Sequence, residues 1–213
     1  MSRPRSIVAA FAALVVLAGA SAASADGRPA GQLSLKPPPE TSLSLVDHRG
    51  RWVSEADFRG RYLLVYFGYT YCPDVCPTDL QTMSEAVETL DAAGVSVQPI
   101  FVTVDPERDT ASHLADYVDA FHPRLIGLTG SPEEIARTAK DYRVRYFKLH
   151  YPVENDDDDG DEDGEATKAE YAIRHSALTY LVGPTGRRLT TFPHGERPDD
   201  MAREVARHIA GDS

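Results

Sequence analysis

The chain has 213 residues, a formal net charge of −11 at pH 7 and two cysteines. This length suits one domain with its own hydrophobic core. The acidic composition has no basic tract that could contact phosphates, which argues against nucleic-acid binding. Two cysteines cannot build a disulfide scaffold or a four-cysteine zinc site, so we expect them to act as a pair.

The first 25 residues are typical of an export signal. Arg3 and Arg5 precede an uncharged apolar stretch, and Ala23-Ser24-Ala25 fits a cleavage site. We therefore predict a signal peptide over 1–25 and an exported protein, periplasmic or otherwise extracytoplasmic. If the signal is not cleaved, the protein stays tethered to the inner membrane. Residues 26–40 contain three consecutive prolines and are predicted to form an extended leader.

The domain is predicted to span residues 41–211, with strands and helices in alternation. Continuous apolar runs indicate strands buried on both faces, whereas apolar stripes and capping signals indicate helices. In chain order we predict a hairpin from 43–46 and 51–53, a strand at 62–67, a helix from Pro77 to residue 93, a strand at 97–104, a helix at 110–121, a strand at 125–128, a helix capped by Ser131, a strand at 143–149, a hairpin from 177–182 and 188–192, and a helix at 198–209. This order predicts an α/β fold with a mixed central sheet flanked by helices.

The segment from Glu154 to Glu165 holds nine acidic residues and no basic one. Its charges repel one another, and it lacks the apolar side chains that would pack in a core. We therefore predict a disordered acidic insertion at 154–165. A surface that weakly gathers cations is the alternative, although the segment lacks the residue placement of an EF-hand.

Cys72 and Cys76 lie four positions apart, between a predicted buried strand and a helix start. The positive end of a helix dipole favours thiolate over thiol. Such a pair could form a structural disulfide, carry out thiol–disulfide exchange, or bind a soft metal such as Cu(I) with an added imidazole. A disulfide adds little stability in so small a ring, oxidoreductase motifs usually have two intervening residues, and structural zinc needs a fourth ligand.

Seven histidines could supply the imidazole, at positions 48, 113, 122, 150, 175, 194 and 208. His175 stands just before the predicted strand 177–182. In thioredoxin-like sheets the loop leading into that strand faces the cysteine loop, which favours His175 by fold analogy. His194 is the alternative, whereas His113 and His208 fall in predicted helices and are expected at the surface.

Five segments of the chain carry a family resemblance: 58–80 with its Cys-Pro-Asp-Val-Cys-Pro string, 102–110 with Asp-Pro-Glu-Arg-Asp-Thr, 121–135, 139–147 and 175–186. Together they resemble the Sco/SenC family of copper proteins, which assemble the binuclear copper centre of cytochrome c oxidase. The resemblance implies a thioredoxin-like fold that holds copper, as Cu(I) or also as Cu(II). It implies a metallochaperone that delivers copper to the copper-bearing subunit of the oxidase, with a copper donor or thiol reductant as a further partner.

The resemblance also implies the site residues. Cys72, Cys76 and His175 would be the copper ligands, and the same two cysteines would form a redox-active disulfide. Asp105 matches a family acidic residue thought to assist at the site, and the alternative role for it is to cap a turn before Pro106. Arg174 stands where family members often have Asp, but neighbours in a strand point to opposite faces, so Arg174 need not touch the metal.

Two other functions use the same cysteines. One is a thiol–disulfide oxidoreductase that reduces the copper-ligand cysteines of the target. The other is a peroxiredoxin-like peroxidase, whose site expects Thr three residues before the reactive cysteine; this chain has Tyr69 there.

Overall fold

The computed structural model describes residues 43–150 and 171–211. The predicted signal peptide at 1–25, leader at 26–40 and acidic insertion at 154–165 lie outside the described residues. Within the described ranges, none of the helices combines the length and the hydropathy needed to span a membrane.

The described part of the chain contains nine strands, four α-helices and one short 3₁₀-helix at Glu55–Phe58. The strands are β1 Ser44–Asp47, β2 Trp52–Ser54, β3 Tyr62–Gly68, β4 Val97–Thr103, β5 Ile126–Thr129, β6 Tyr146–His150, β7 Tyr171–His175, β8 Leu178–Val182 and β9 Arg188–Pro193. The helices are α1 Val75–Ala92, α2 Ala111–Asp119, α3 Pro132–Tyr142 and α4 Pro198–Gly211.

Seven strands form one mixed sheet in the order β2-β1-β5-β4-β3-β8-β9. The central strands β3, β4 and β5 run parallel, while the outer strands pair antiparallel. Helix α1 packs on β3 and β4 and against α4, while α2 packs on β5 and α3 on β1. Strands β3 and β4 are buried along almost their whole length, which explains their continuous apolar sequences. The predicted α/β fold with a mixed central sheet is confirmed.

Helix α1 begins at Val75, two residues before the predicted start at Pro77. Proline is tolerated there because the N–H groups of the first helical turn have no partner within the helix. Cys76 therefore belongs to the first turn of α1, while Cys72 lies in the loop that precedes it.

The remaining two strands form a separate antiparallel sheet, which we call the arm (β6 and β7). The sequence predicts a strand at 143–149, but it gives no signal for the strand at 171–175. Only Ile173 of β7 is fully buried, so β7 lacks the apolar run typical of the strands in the main sheet. His175 is the last residue of β7 and lies opposite Tyr146 in the register of the arm.

Candidate metal centre

The cysteine loop, residues 69–74, connects the end of β3 to the start of α1. Its conformation is fixed by Asp109, which accepts hydrogen bonds from the backbone N–H of Thr70 at 3.0 Å and from its hydroxyl at 2.6 Å. The N–H of Cys72 donates to the carbonyl of Tyr69 at 3.2 Å. These contacts place Cys72 just before the N-terminus of α1.

The fold brings three potential ligand atoms together at this loop. The Sγ of Cys76 lies 3.2 Å from Nε2 of His175, although the two residues are 99 positions apart in the sequence. The N–H of Cys76 donates to Sγ of Cys72 at 3.4 Å. The ligand atoms of Cys72, Cys76 and His175 all lie within 4.8 Å of one another. Cys76 has no exposed surface, whereas the other two residues are half-buried.

The imidazole of His175 is oriented by its surroundings. Its Nδ1 lies 3.4 Å from the carbonyl of Ser176, which can only accept a hydrogen bond. This contact orients the ring so that Nε2 faces the cysteines, where it can bind a metal once it carries no proton. The rings of Tyr66 and Tyr69 meet the imidazole edge-on, with centroids 6.1 and 6.0 Å away.

The pKa values of the two thiols are shifted in opposite directions. The pKa of Cys72 is lowered to about 3, chiefly by the hydrogen bond from the Cys76 side chain, with His175 and the N–H groups at the start of α1 contributing. The pKa of Cys76 is raised, first because it donates that hydrogen bond and second because it is buried. Cys72 is therefore the thiolate at neutral pH, and Cys76 keeps its proton until a metal or an oxidant removes it.

Two sulfurs and one imidazole nitrogen form a donor set that suits a soft ion. Cu(I) accepts thiolate ligands and low coordination numbers, whereas structural zinc requires four ligands. The group found among residues 43–150 and 171–211 has three members. Neither cysteine is in a disulfide bond, as metal binding requires.

The other residues singled out in the sequence lie outside this ligand group. The Asp105 side chain has no exposed surface, and both its oxygens are engaged: Oδ1 accepts from the hydroxyl of Tyr171 at 2.6 Å, and Oδ2 pairs with Nε of Arg108 at 2.5 Å. Arg174 is exposed and lies opposite Phe147, on the face of the arm away from His175.

The alternative histidines also have other contacts. Nδ1 of His194 lies 2.7 Å from Oδ1 of Asp79, a buried carboxylate on α1. His113 is exposed on α2, as expected, but its ring stacks on Tyr71 and its Nε2 donates to the hydroxyl of Thr70 at 2.9 Å. His113 therefore supports the cysteine loop, a role that its place in a predicted helix did not reveal.

Sequence reasoning missed two residues beside the centre, Arg108 and Tyr171. The guanidinium carbon of Arg108 lies 3.8 Å from the ring centroid of Tyr171 and 4.7 Å from that of Tyr71. The signal for Arg108 was present in the Asp-Pro-Glu-Arg-Asp-Thr string. Tyr171 gave no such signal, because it follows the acidic segment and starts a strand that the pattern does not show.

Comparison with known proteins gives consistent matches. The sequence model of the SCO1/SenC family matches residues 33–210. The Bos taurus protein named "Protein SCO2 homolog, mitochondrial" is 43% identical over 170 residues, which cover 79% of this chain and 59% of the bovine protein. The Homo sapiens "Protein SCO1 homolog, mitochondrial" is 37% identical and covers 78% of this chain and 52% of the human protein. The chain thus spans a little over half the length of these curated relatives.

A solved structure is similar to the fold described above. It is the crystal structure of Arabidopsis thaliana ScoI with copper bound, which is 36% identical, has a TM-score of 0.69 and covers 81% of this chain and 98% of that one. This similarity confirms the expected thioredoxin-like fold. It also agrees with the expected copper cofactor, because the related protein holds copper and this chain has the Cys-Cys-His group.

The predicted location is corrected by the same comparison. The sequence favoured an exported, periplasmic protein, but the bovine and human relatives are both named as mitochondrial proteins, which contradicts that prediction. A basic start followed by an apolar stretch is therefore insufficient to assign the compartment. The family match over most of the chain and the identities of its relatives show that this chain belongs to the SCO1/SenC family.

Proposed function

We propose that this protein is a metallochaperone that holds one copper ion between Cys72, Cys76 and His175 and passes it to the copper-bearing subunit of cytochrome c oxidase. The observation that carries the proposal is the convergence of two sulfurs and one imidazole nitrogen within 4.8 Å. Support comes from membership of the SCO1/SenC family and from the copper bound to the similar plant protein. Copper is the cargo in this function.

The three ligands differ in burial, and this difference suits the transfer of copper to an acceptor protein. Cys76 is fully buried and anchors the ion from inside, whereas Cys72 and His175 are half-buried at the surface. An acceptor could replace the two accessible ligands one at a time while Cys76 retains the ion. Exchange of ligands in steps avoids releasing free copper. Loading from a donor protein would follow the same path in reverse.

The test is Cu(I) binding by the reduced protein in competition with a chromophoric Cu(I) chelator. We expect one Cu(I) per chain, and replacement of Cys72, Cys76 or His175 by Ala should each remove most of the tight binding. His208→Ala is the matched control, since His208 lies on α4 and outside the ligand group. Full copper retention in His175→Ala would refute the assignment of the third ligand.

The acidities of the two thiols favour a second candidate function, the reduction of the target's cysteines. The Cys72 thiolate would attack one sulfur of a target disulfide, and the other target sulfur would leave as a thiolate. Cys76 would then lose its proton and attack Cys72, which releases the reduced target and leaves a Cys72–Cys76 disulfide. A thiol reductant must restore the pair. In the test, Cys76→Ser is incubated with an oxidised peptide that carries the target's copper-site cysteines, and the mixed disulfide with Cys72 should accumulate. If no mixed disulfide forms, this function is contradicted.

A further inference from the structure

The two halves of the candidate metal centre come from separate parts of the fold. The cysteines lie where β3 meets α1, whereas His175 ends β7 in the arm. Among the described residues, the arm shares no strand pairing with the seven-stranded sheet. A two-stranded sheet is only marginally stable by itself. The position of His175 relative to the cysteines therefore depends on the contacts that hold the arm in place.

The polar contacts of the arm converge on residues 105–110, which we call the bridging segment. The hydroxyl of Tyr171 donates to Asp105 at 2.6 Å, and Nη1 of Arg108 donates to the backbone carbonyl of Tyr171 at 3.1 Å. The guanidinium also lies 3.8 Å from the centroid of the Tyr171 ring. On β6, Lys148 pairs with Glu107 at 2.7 Å and lies over the same ring.

The bridging segment holds the cysteine loop as well. Asp109 is buried and accepts both hydrogen bonds from Thr70, while the hydroxyl of Thr103 at the end of β4 donates to it at 2.6 Å. Arg108 extends to the ring of Tyr71, next to Cys72. A direct link exists too, since the backbone of Ile173 donates to the hydroxyl of Tyr69.

Burial and charge strengthen the hydrogen bonds and ion pair that the bridging segment makes. Asp105 is fully buried and the side chain of Arg108 is only 18% exposed, so their ion pair is shielded from water and salt. Charge-assisted hydrogen bonds to buried groups are among the stronger ones in proteins. The carboxylate of Asp105 fixes the guanidinium, and the guanidinium in turn fixes Tyr171, four residues before His175.

We propose that the bridging segment sets the distance between His175 and the two cysteines, with Asp105, Arg108 and Tyr171 as positioning residues for the imidazole. This inference rests on the proposed function, in which His175 is the third copper ligand. It gives Asp105 a role at the site without contact with the metal. It also accounts for the charged side chains of the string Asp-Pro-Glu-Arg-Asp-Thr, because different side chains of this one short segment contact the two halves of the centre.

The experiment is a double-mutant cycle on the reduced, full-length chain with Cu(I) as the probe. Tyr171→Phe removes one hydroxyl and keeps the ring, so the protein should fold. We expect its Cu(I) affinity to fall about tenfold, the size of one lost hydrogen bond to a charged group. In the His175→Ala background the same change should have no effect, since no imidazole remains to be positioned. Tyr62→Phe, at the opposite end of β3, is the matched control and should bind as the wild type does.

Two spectroscopic readouts separate positioning from general destabilisation. X-ray absorption of the copper-loaded Tyr171→Phe protein should show a weaker imidazole contribution, while the two sulfur neighbours stay. Without metal, the NMR signals of the His175 ring should move toward those of an exposed histidine, because the ring leaves the edges of Tyr66 and Tyr69. Asp105→Asn should reproduce both effects, since it weakens the hold on Arg108.

The outcomes separate the two proposals. Wild-type affinity and imidazole signals in Tyr171→Phe, while His175→Ala binds weakly, would overturn the positioning role and leave the ligand set intact. An equal loss from Tyr171→Phe with and without His175 would also overturn the positioning role. Wild-type copper binding by His175→Ala would overturn both this inference and the proposed ligand set.

Discussion

Replacing Gly68 by Ala should damage the metal centre from within the core. Gly68 ends β3, and a Cβ atom there would lie 2.8 Å from Sγ of Cys76 and 3.0 Å from the rings of Tyr66 and Phe101. The backbone of Gly68 is not in the left-handed region, so the only obstacle to Ala at this position is steric overlap of its Cβ atom. Because Cys76 and both rings are fully buried, none of them can turn aside into solvent. The sulfur must shift by about 1 Å to reach an ordinary contact distance.

The magnitude follows from two opposing effects. Overpacking a core costs about 1–3 kcal/mol, and the smaller entropy of an unfolded chain with Ala offsets about 0.4–1 kcal/mol of that. A net loss of about 1–2 kcal/mol lowers the melting temperature by about 2–8 °C for a chain of this size. Metal sites require their ligands to stay within about 0.5 Å of the working geometry. Displacement of Cys76 should therefore weaken Cu(I) binding by about tenfold or more.

The assay pairs thermal unfolding of the reduced protein with chelator competition for Cu(I). Gly127→Ala is the matched control, since a Cβ on Gly127 would lie 3.0 Å from Val118 on α2, well away from the cysteines. Both variants should lose stability, but only Gly68→Ala should lose copper affinity. Wild-type copper affinity in Gly68→Ala, with its lower melting temperature, would refute the reasoning that places Cys76 in the ligand set.

Three further predictions follow from the thiols and the ligand set. First, the pKa of Cys72 is lowered to about 3, so the reduced protein should be alkylated at one cysteine, at a rate that is nearly constant from about pH 5 to pH 8. The alkylation rate of an ordinary thiol, with a pKa near 8.5, would rise about tenfold per pH unit over this range, and such a rise would contradict the lowered pKa. Second, a disulfide consumes both thiolates, so air-oxidised protein should take up almost no Cu(I) until a reductant is added; equal uptake by both redox forms would exclude the cysteines as ligands. Third, copper that binds only the folded site stabilises it by about 4 kcal/mol at a thousandfold excess over Kd; calorimetry should show a clear rise in melting temperature for the wild type and a much smaller one for His175→Ala, whereas equal rises would mean that His175 does not close the site.

Contacts that are close in the sequence could be predicted without a structure. The apolar run of β3, the helix start after it and the spacing of Cys72 and Cys76 are local features. Cys72 lies only four positions before Cys76, which is in the first turn of the helix, and so short a connection keeps the two cysteines near the same helix end. The pairing of the two cysteines and their place at the positive end of a helix therefore followed from the sequence alone.

The choice of histidine depended on the fold. Seven histidines were available, and fold analogy and the family resemblance favoured His175 without any signal from its own surroundings. The antiparallel register of the arm places His175 opposite Tyr146 and 3.2 Å from Cys76, whereas His194 lies against Asp79. Strand register depends on partners far along the chain, and no local periodicity encodes those partners.

The bridging segment also combines features that the sequence predicts with contacts that only the folded structure shows. The charged residues of the bridging segment are visible in the sequence, and two roles were predicted for Asp105, as an accessory group at the metal or as a turn cap. Only the folded chain shows that Asp105 binds Arg108 and Tyr171, because Tyr171 lies 66 positions further along, in a strand with a single fully buried residue. The sequence by itself determined which atoms could bind the metal, since ligand chemistry belongs to residue type. The tertiary structure decided which of them meet, since that distance is set by packing between segments that are remote in the chain.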